Sequence, residues 1–120
     1  MVVVVFNNQV IGASSTTTET LSDPIPMGGN DRVTAVASAH WLFGGGASPK
    51  ATIEIYGSND GTSWTADLFS SAQEVTAAGV KALEIVTAPY AFVRFKLIAD
   101  PDSGSNFFMC LDVHANVDHA

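Results

Sequence analysis

The side chains best suited to chemistry are the three histidines, His40, His114 and His119, with the carboxylates beside them. On an extended strand His114 shares a face with Asp112, two residues earlier, and Asp118 directly precedes His119. Imidazole and carboxylate at such short spacing are ligand types for a divalent metal. The shell stays incomplete, because no cysteine and no second histidine pair completes it, and terminal residues fray. The expectation is a solvated strand face and no metal. The loop Asp100-Pro-Asp-Ser-Gly-Ser-Asn106 alternates oxygen-bearing side chains around a glycine, loosely as calcium loops do. It lacks the bidentate Glu that closes the twelve-residue calcium loop, and Asp, Pro, Ser and Gly also build ordinary tight turns. A tight turn is expected there, with calcium as the alternative.

Covalent and acid–base catalysis find less support. Serine and threonine are plentiful, yet no Gly-x-Ser-x-Gly is present and no general base has a recognisable place. Gly44-Gly-Gly46 is too short to cradle phosphate and has no following Lys. No pair of carboxylates stands out for glycoside hydrolysis. The chain therefore reads as a structural or binding protein, not an enzyme, with no cofactor. Trp41, Tyr56, Trp64 and Tyr90 offer ring faces on which a sugar stacks, although such residues more often fill a core or anchor an interface. Tyr56 is expected on an outer face beside Glu54, and Trp64 is expected to fold back on the core.

Composition narrows the partners. Charged residues make up 14% of the 120, well under the ~25% usual for soluble domains. A surface poor in charge suits contact with other chains, since burying a charge is costly. The five cations, Arg32, Lys50, Lys81, Arg94 and Lys96, face twelve carboxylates, giving a net charge of −7. Nucleic acid and anionic membranes need clustered cations and are poor partners. Cys110 is the only cysteine and sits in the apolar run 107–111, which favours a buried, inert thiol. The opening Met1–Phe6 is apolar but lacks a cationic leader and a small-residue cleavage site, so synthesis in the cytoplasm without a signal peptide is expected.

The elements that would position these residues are strands. Period-two alternation dominates: Ala91, Val93, Phe95 and Leu97 oppose Phe92, Arg94, Lys96 and Ile98. Phe107, Met109, Leu111, Val113, Ala115 and Val117 oppose Phe108, Cys110, Asp112, His114 and Asn116, and Ala51, Ile53 and Ile55 oppose Thr52, Glu54 and Tyr56. Further strands are expected over 2–7, 16–22, 31–43, 64–69 and 81–87, with a short helical turn in 70–79. The apolar phase of 31–43 slips before Trp41, which predicts a bulge near Ala37–Ala39. Asn59-Asp60-Gly61 is the strongest hairpin signal. About eight strands punctuated by turns predict one all-β domain over 1–120, an antiparallel sandwich with jelly-roll topology preferred over an immunoglobulin-like one. Residues 1–20 are read as a first strand or an N-terminal arm.

Two stretches carry a resemblance. Ile53-Glu-Ile-Tyr-Gly-Ser-Asn-Asp-Gly-Thr-Ser-Trp64, followed by Pro89-Tyr-Ala-Phe-Val-Arg-Phe-Lys-Leu97, resembles the hairpin and later aromatic strand of discoidin (coagulation factor 5/8 C-type) sandwiches. That family is longer and has bridging cysteines with no counterpart here. The same elements, with the Ala/Thr/Ser/Val-rich acidic composition, are similar to small β-sandwiches that decorate or cement tailed-phage capsids. The resemblance implies a homo-oligomer, a trimer by preference, seated on the exterior of a virion against the major capsid protein. A carbohydrate-binding module or adhesin head, and a tail or baseplate component, are the alternatives. Candidate interface residues are Val2, Val3, Val4, Val5 and Phe6, which could add to a neighbour's sheet edge, together with Tyr56, Arg94 and Lys96.

Overall fold

Alternating apolar residues commit this chain to strands, because only an extended backbone sends successive side chains to opposite faces. The structure, a computed structural model describing residues 1–120, contains ten strand segments and no helix. They are β1 (Val2–Ala13), β2 (Thr18–Leu21), β3 (Ile25–Pro26), β4 (Arg32–Gly44), β5 (Lys50–Ser58), β6 (Gln73–Val75), β7 (Gly79–Ala82), β8 (Val86–Thr87), β9 (Phe92–Asp100) and β10 (Phe107–Asp118). They form two antiparallel sheets. The first has the order β1-β10-β4-β7, with β8 also on β4, and the second has β2-β9-β5-β6, with β3 also on β9.

Ten segments occupy eight strand positions. β2 and β3 pair successive stretches of β9, and β7 and β8 pair successive stretches of β4. Each duo is one strand broken by an interruption, so the chain crosses between sheets in the order of an eight-stranded jelly roll. The inward faces of β5, β9 and β10 are those that the alternation gave: Ile53, Ile55, Phe95, Leu97, Met109, Leu111 and Val113 are fully buried. They belong to one cluster of 27 buried residues between the sheets.

Three expectations need correction. Residues 64–69 form no strand; the chain leaves the turn at Ser58 and runs back along β5 through isolated bonds, Thr65 N–H to the Gly57 carbonyl (2.9 Å) and Leu68 N–H to that of Ile55 (2.8 Å). Asp67 replaces the missing ladder by accepting the Ile55 N–H at 3.1 Å. Residues 70–79 hold the short strand β6 rather than a helical turn. Residues 81–87 are split between β7 and β8. Within residues 1–20, β1 lies in the first sheet and β2 in the second. The terminal ammonium of Met1 donates to the Val117 carbonyl at 2.8 Å, which fastens β1 to β10.

The bulge in β4 falls one residue beyond the predicted stretch. Leu111 pairs Ala39 while Cys110 pairs Trp41, so His40 is the extra residue. Before it the odd-numbered residues Val33, Ala35, Ala37 and Ala39 are buried; after it Leu42 turns inward and Trp41 and Phe43 turn outward. β1 has its own register shifts against β10, between Val4 and Phe6 and between Phe6 and Gln9, with Asn8 at φ 48°. Asp112, on the strand between them, meets both irregularities. One oxygen accepts the Asn8 backbone N–H at 2.5 Å and the other lies 3.0 Å from His40 Nε2. The Asn8 N–H first, and His40 second, hold this carboxyl below its ordinary range.

A group whose folded pKa is depressed stabilises the fold above its unfolded value, about 4 for Asp, and loses that contribution as pH falls through the folded value. Asp112→Ala is therefore expected to melt below the parent at pH 7, with the gap narrowing toward pH 2 in thermal scans. An equal gap at both pH values refutes this role of the Asp112 carboxylate. In the core, Phe95→Ala is expected to lower unfolding free energy by ~3–5 kcal/mol, read as a lower urea midpoint at unchanged slope.

Candidate functional site

Two surfaces stand out, one on the outer face of each sheet. The first is aromatic. Because the His40 bulge reverses the phase of β4, Trp41 and Phe43 project outward and stack on one another, with centroids 5.6 Å apart and an interplanar angle of 27°. Phe43 in turn meets Phe108 of β10 at 5.4 Å. The row continues onto β1, where Val10 is paired to Cys110 and Gly12 to Phe108. A side chain at position 12 would run into the Phe108 ring, since an added Cβ falls 2.7 Å from its Cδ1. Glycine thus lets that ring lie flat across the edge strand. Phe43 is 59% exposed and Val10 51%, while Cys110 is buried beneath them. Exposed aromatics in contact are unusual on a solvated sheet.

The second surface is a polar cleft on the outer face of β5 and β9. Its base is the turn after β5. Ser58 Oγ accepts the Gly61 N–H at 2.9 Å, and Asp60 Oδ1 accepts the N–H groups of Ser63 (2.8 Å) and Thr62 (2.9 Å). The Ser63 N–H first, then that of Thr62 and the Ser58 hydroxyl, hold the Asp60 carboxyl far below the ordinary range. Asn59 Oδ1 accepts the Ala91 N–H at 3.1 Å, which joins the turn to the start of β9. Gly57 is required by shape, as an added Cβ would sit 2.3 Å from Tyr90 Cδ2. So braced, the turn presents Trp64 to Arg94, whose guanidinium carbon lies 4.3 Å from the indole centroid. Trp64 is half-exposed on the outer face and not in the core as its position suggested.

Tyr56, Glu54 and Lys96 continue this face. The Tyr56 hydroxyl donates to Glu54 Oε1, and Lys96 Nζ lies 5.1 Å from the Tyr56 ring centroid. Lys96 is also 3.4 Å from Glu19 and 3.9 Å from Glu54. Burial, then the Glu54 bond, pushes the Tyr56 phenol up. Tyr56, Arg94 and Lys96 thus meet at one place, with Trp64 added.

The residues Val2–Phe6 lie in the other sheet, so the structure does not bring the two groups together. Val2 and Val4 face outward opposite Asn116 and His114, Val3 and Val5 pack partly against the core, and Phe6 is buried. β1 is an edge strand, and a cavity of about 280 Å³ lies between it and the Asp23–Pro26 segment. The histidine–carboxylate candidates also part: His40 and Asp112 serve the two bulges, while His119 contacts only the terminal carbonyl oxygen. In the 100–106 loop the carboxylates close the turn, with Asp100 accepting the Asp102 N–H (2.9 Å) and Asp102 that of Ser48 (2.7 Å). Phe43 and Phe108 were not singled out as functional residues by sequence reasoning. Their signals were the phase slip in 31–43 and one phenylalanine on the polar face of 107–117.

No protein-family model and no curated protein sequence matches this chain. Among solved structures, the PBSX exported protein XepA superposes with a TM-score of 0.65 at 15% identity, over the whole of this chain and 37% of that one. A chain of infectious bursal disease virus, Gx strain, superposes at 0.62 and 6% identity over 99% of this chain and 32% of its own. The Gt strain gives 0.54 and 7%, over 99% and 31%. This chain therefore spans about a third of the length of each. At these identities the likeness is one of fold: an all-β sandwich.

Proposed function

We propose that this protein is a structural, non-catalytic component of a virus particle that docks through the outer face of its first sheet onto the assembled shell, as a capsid decoration or cement protein. The observation that carries this reading is the contiguous exposed row Trp41, Phe43, Phe108 and Val10 on a rigid sheet. Aromatic side chains on a preformed surface lose little entropy on docking and supply the anchors around which interfaces are built. The low share of charged residues removes a desolvation penalty across the remainder of the surface. The fold shared with a chain of infectious bursal disease virus and with a PBSX exported protein supports the same role, since jelly rolls serve widely as capsid domains. The proposed partner is the major capsid protein, and the trimeric state follows the resemblance to small phage sandwiches.

A protein of this kind acts by mass action. It binds the closed shell and not its separated subunits, so its binding free energy adds to the stability of the assembly. Many copies on a symmetric lattice let a weak single contact suffice through avidity.

The chain is expected to be oligomeric by light scattering and to co-sediment with shells assembled from the major capsid protein of its particle. Phe43→Asp is expected to keep the parental melting temperature within a few degrees and to weaken co-sedimentation at least tenfold. A monomer that ignores capsid shells defeats the proposal; binding to tail assemblies instead of shells moves the protein to the tail or baseplate.

A further inference from the structure

Arg94 differs from the other four cations of the chain. Arg32 makes a two-pronged bond to Asp118 (2.8 Å each), Lys50 pairs with Glu74 at 2.6 Å, Lys81 donates to the Glu74 carbonyl at 2.7 Å, and Lys96 lies between Glu19 and Glu54. The Arg94 side chain has no carboxylate within 4.0 Å and no hydrogen bond, and its Nε is buried without an acceptor. A guanidinium offers five donors, and leaving one unmet inside the protein is costly. Stacking on Trp64 holds it in place, and with Nε buried it is the two unpartnered terminal nitrogens that are left for a planar, two-oxygen acceptor.

What surrounds it favours a small polar ligand over a flat protein surface. Arg94 lines a cleft of about 330 Å³ with Tyr56, Trp64, Thr65, Leu21, Lys96 and Glu19. Trp64 and Thr65 also line an adjoining cleft of about 400 Å³ that reaches Asn59, Ser63 and Tyr90. Both clefts are shallow, and they combine aromatic walls with a few placed polar groups, as small-ligand sites do. The Ser63 hydroxyl and the Asn59 amide NH₂ donate to nothing in the chain. Lys96 lies between Glu19 and Glu54, so the two carboxylates there are balanced only by Lys96 and Arg94 together.

We propose that this double cleft binds a carboxylated sugar, a uronate, with the carboxylate accepting from Arg94 and the ring lying past Trp64 toward Tyr90, Asn59 and Ser63. The site is independent of the capsid reading, because it is tested on the isolated chain without any particle. Galacturonate trimer titrated into ¹⁵N-labelled protein is expected to shift the Trp64 indole N–H and the 57–65 amides saturably, while neutral galactose trimer leaves them in place. Arg94→Gln is expected to weaken the uronate at least tenfold, and Arg94→Lys, which keeps charge but loses the fork, to fall between; thermal melts establish that both variants fold. Equal response to the neutral trimer, undiminished binding by Arg94→Gln, or binding of an Asp-rich peptide but not the uronate would each overturn the proposal.

Discussion

The aromatic surface depends on where one carboxylate sits. Asp112 lies on β10, the strand paired on both sides, and reaches the irregularities of both neighbours at once, Asn8 in β1 and His40 in β4. A bulge leaves unpaired backbone groups and would relax if nothing held it. Here the unpaired N–H of Asn8 finds an acceptor and the extra residue of β4 finds an anchor. Slipping a strand by one residue exchanges its two faces, so the His40 insertion decides that Trp41 and Phe43 face solvent while Leu42 joins the core. A polar contact on the outside of the sheet thereby sets which apolar groups lie inside it.

Much of this architecture was legible in the sequence. β5, β9 and β10 were readable residue by residue because one face of each packs against the opposite sheet, where a polar side chain would be penalised on every second position. The jelly-roll preference rested on counting eight runs, and the count survives once β2 with β3 and β7 with β8 are each taken as one interrupted strand. Less legible were the segments bound by single contacts. Residues 64–69 look like a strand in composition, but Asp67 and Thr65 satisfy the β5 backbone with side chains and isolated bonds, which no periodicity announces. Trp64 was misplaced for a related reason: its partner Arg94 is 30 positions away, and a cation stacked on an indole leaves no local trace. Of the three histidines visible in the sequence, His40 is tied into the fold, at the β4 bulge through Asp112.

The two outer faces divide the molecule by chemistry. That of the first sheet carries exposed aromatic and aliphatic groups with few charges; that of the second carries Lys96, Arg94, Glu19 and Glu54 around Tyr56 and Trp64. A sandwich presents such faces in opposite directions, so a molecule seated by one leaves the other open.

The position of β10 has a further effect on how the protein comes into being. The last strand in chain order is the middle of its sheet, with β1 and β4 on either flank. Neither flank has its main partner while the chain is still emerging from the ribosome, and the apolar faces of both must wait. Closure requires contacts between residues 63 (Gly44 with Phe107) to 114 (Val2 with Asn116) positions apart, a loop entropy met before any reward arrives. The first sheet thus cannot close until β10 has been made, and a chain arrested before Phe107 lacks the strand that joins β1 to β4.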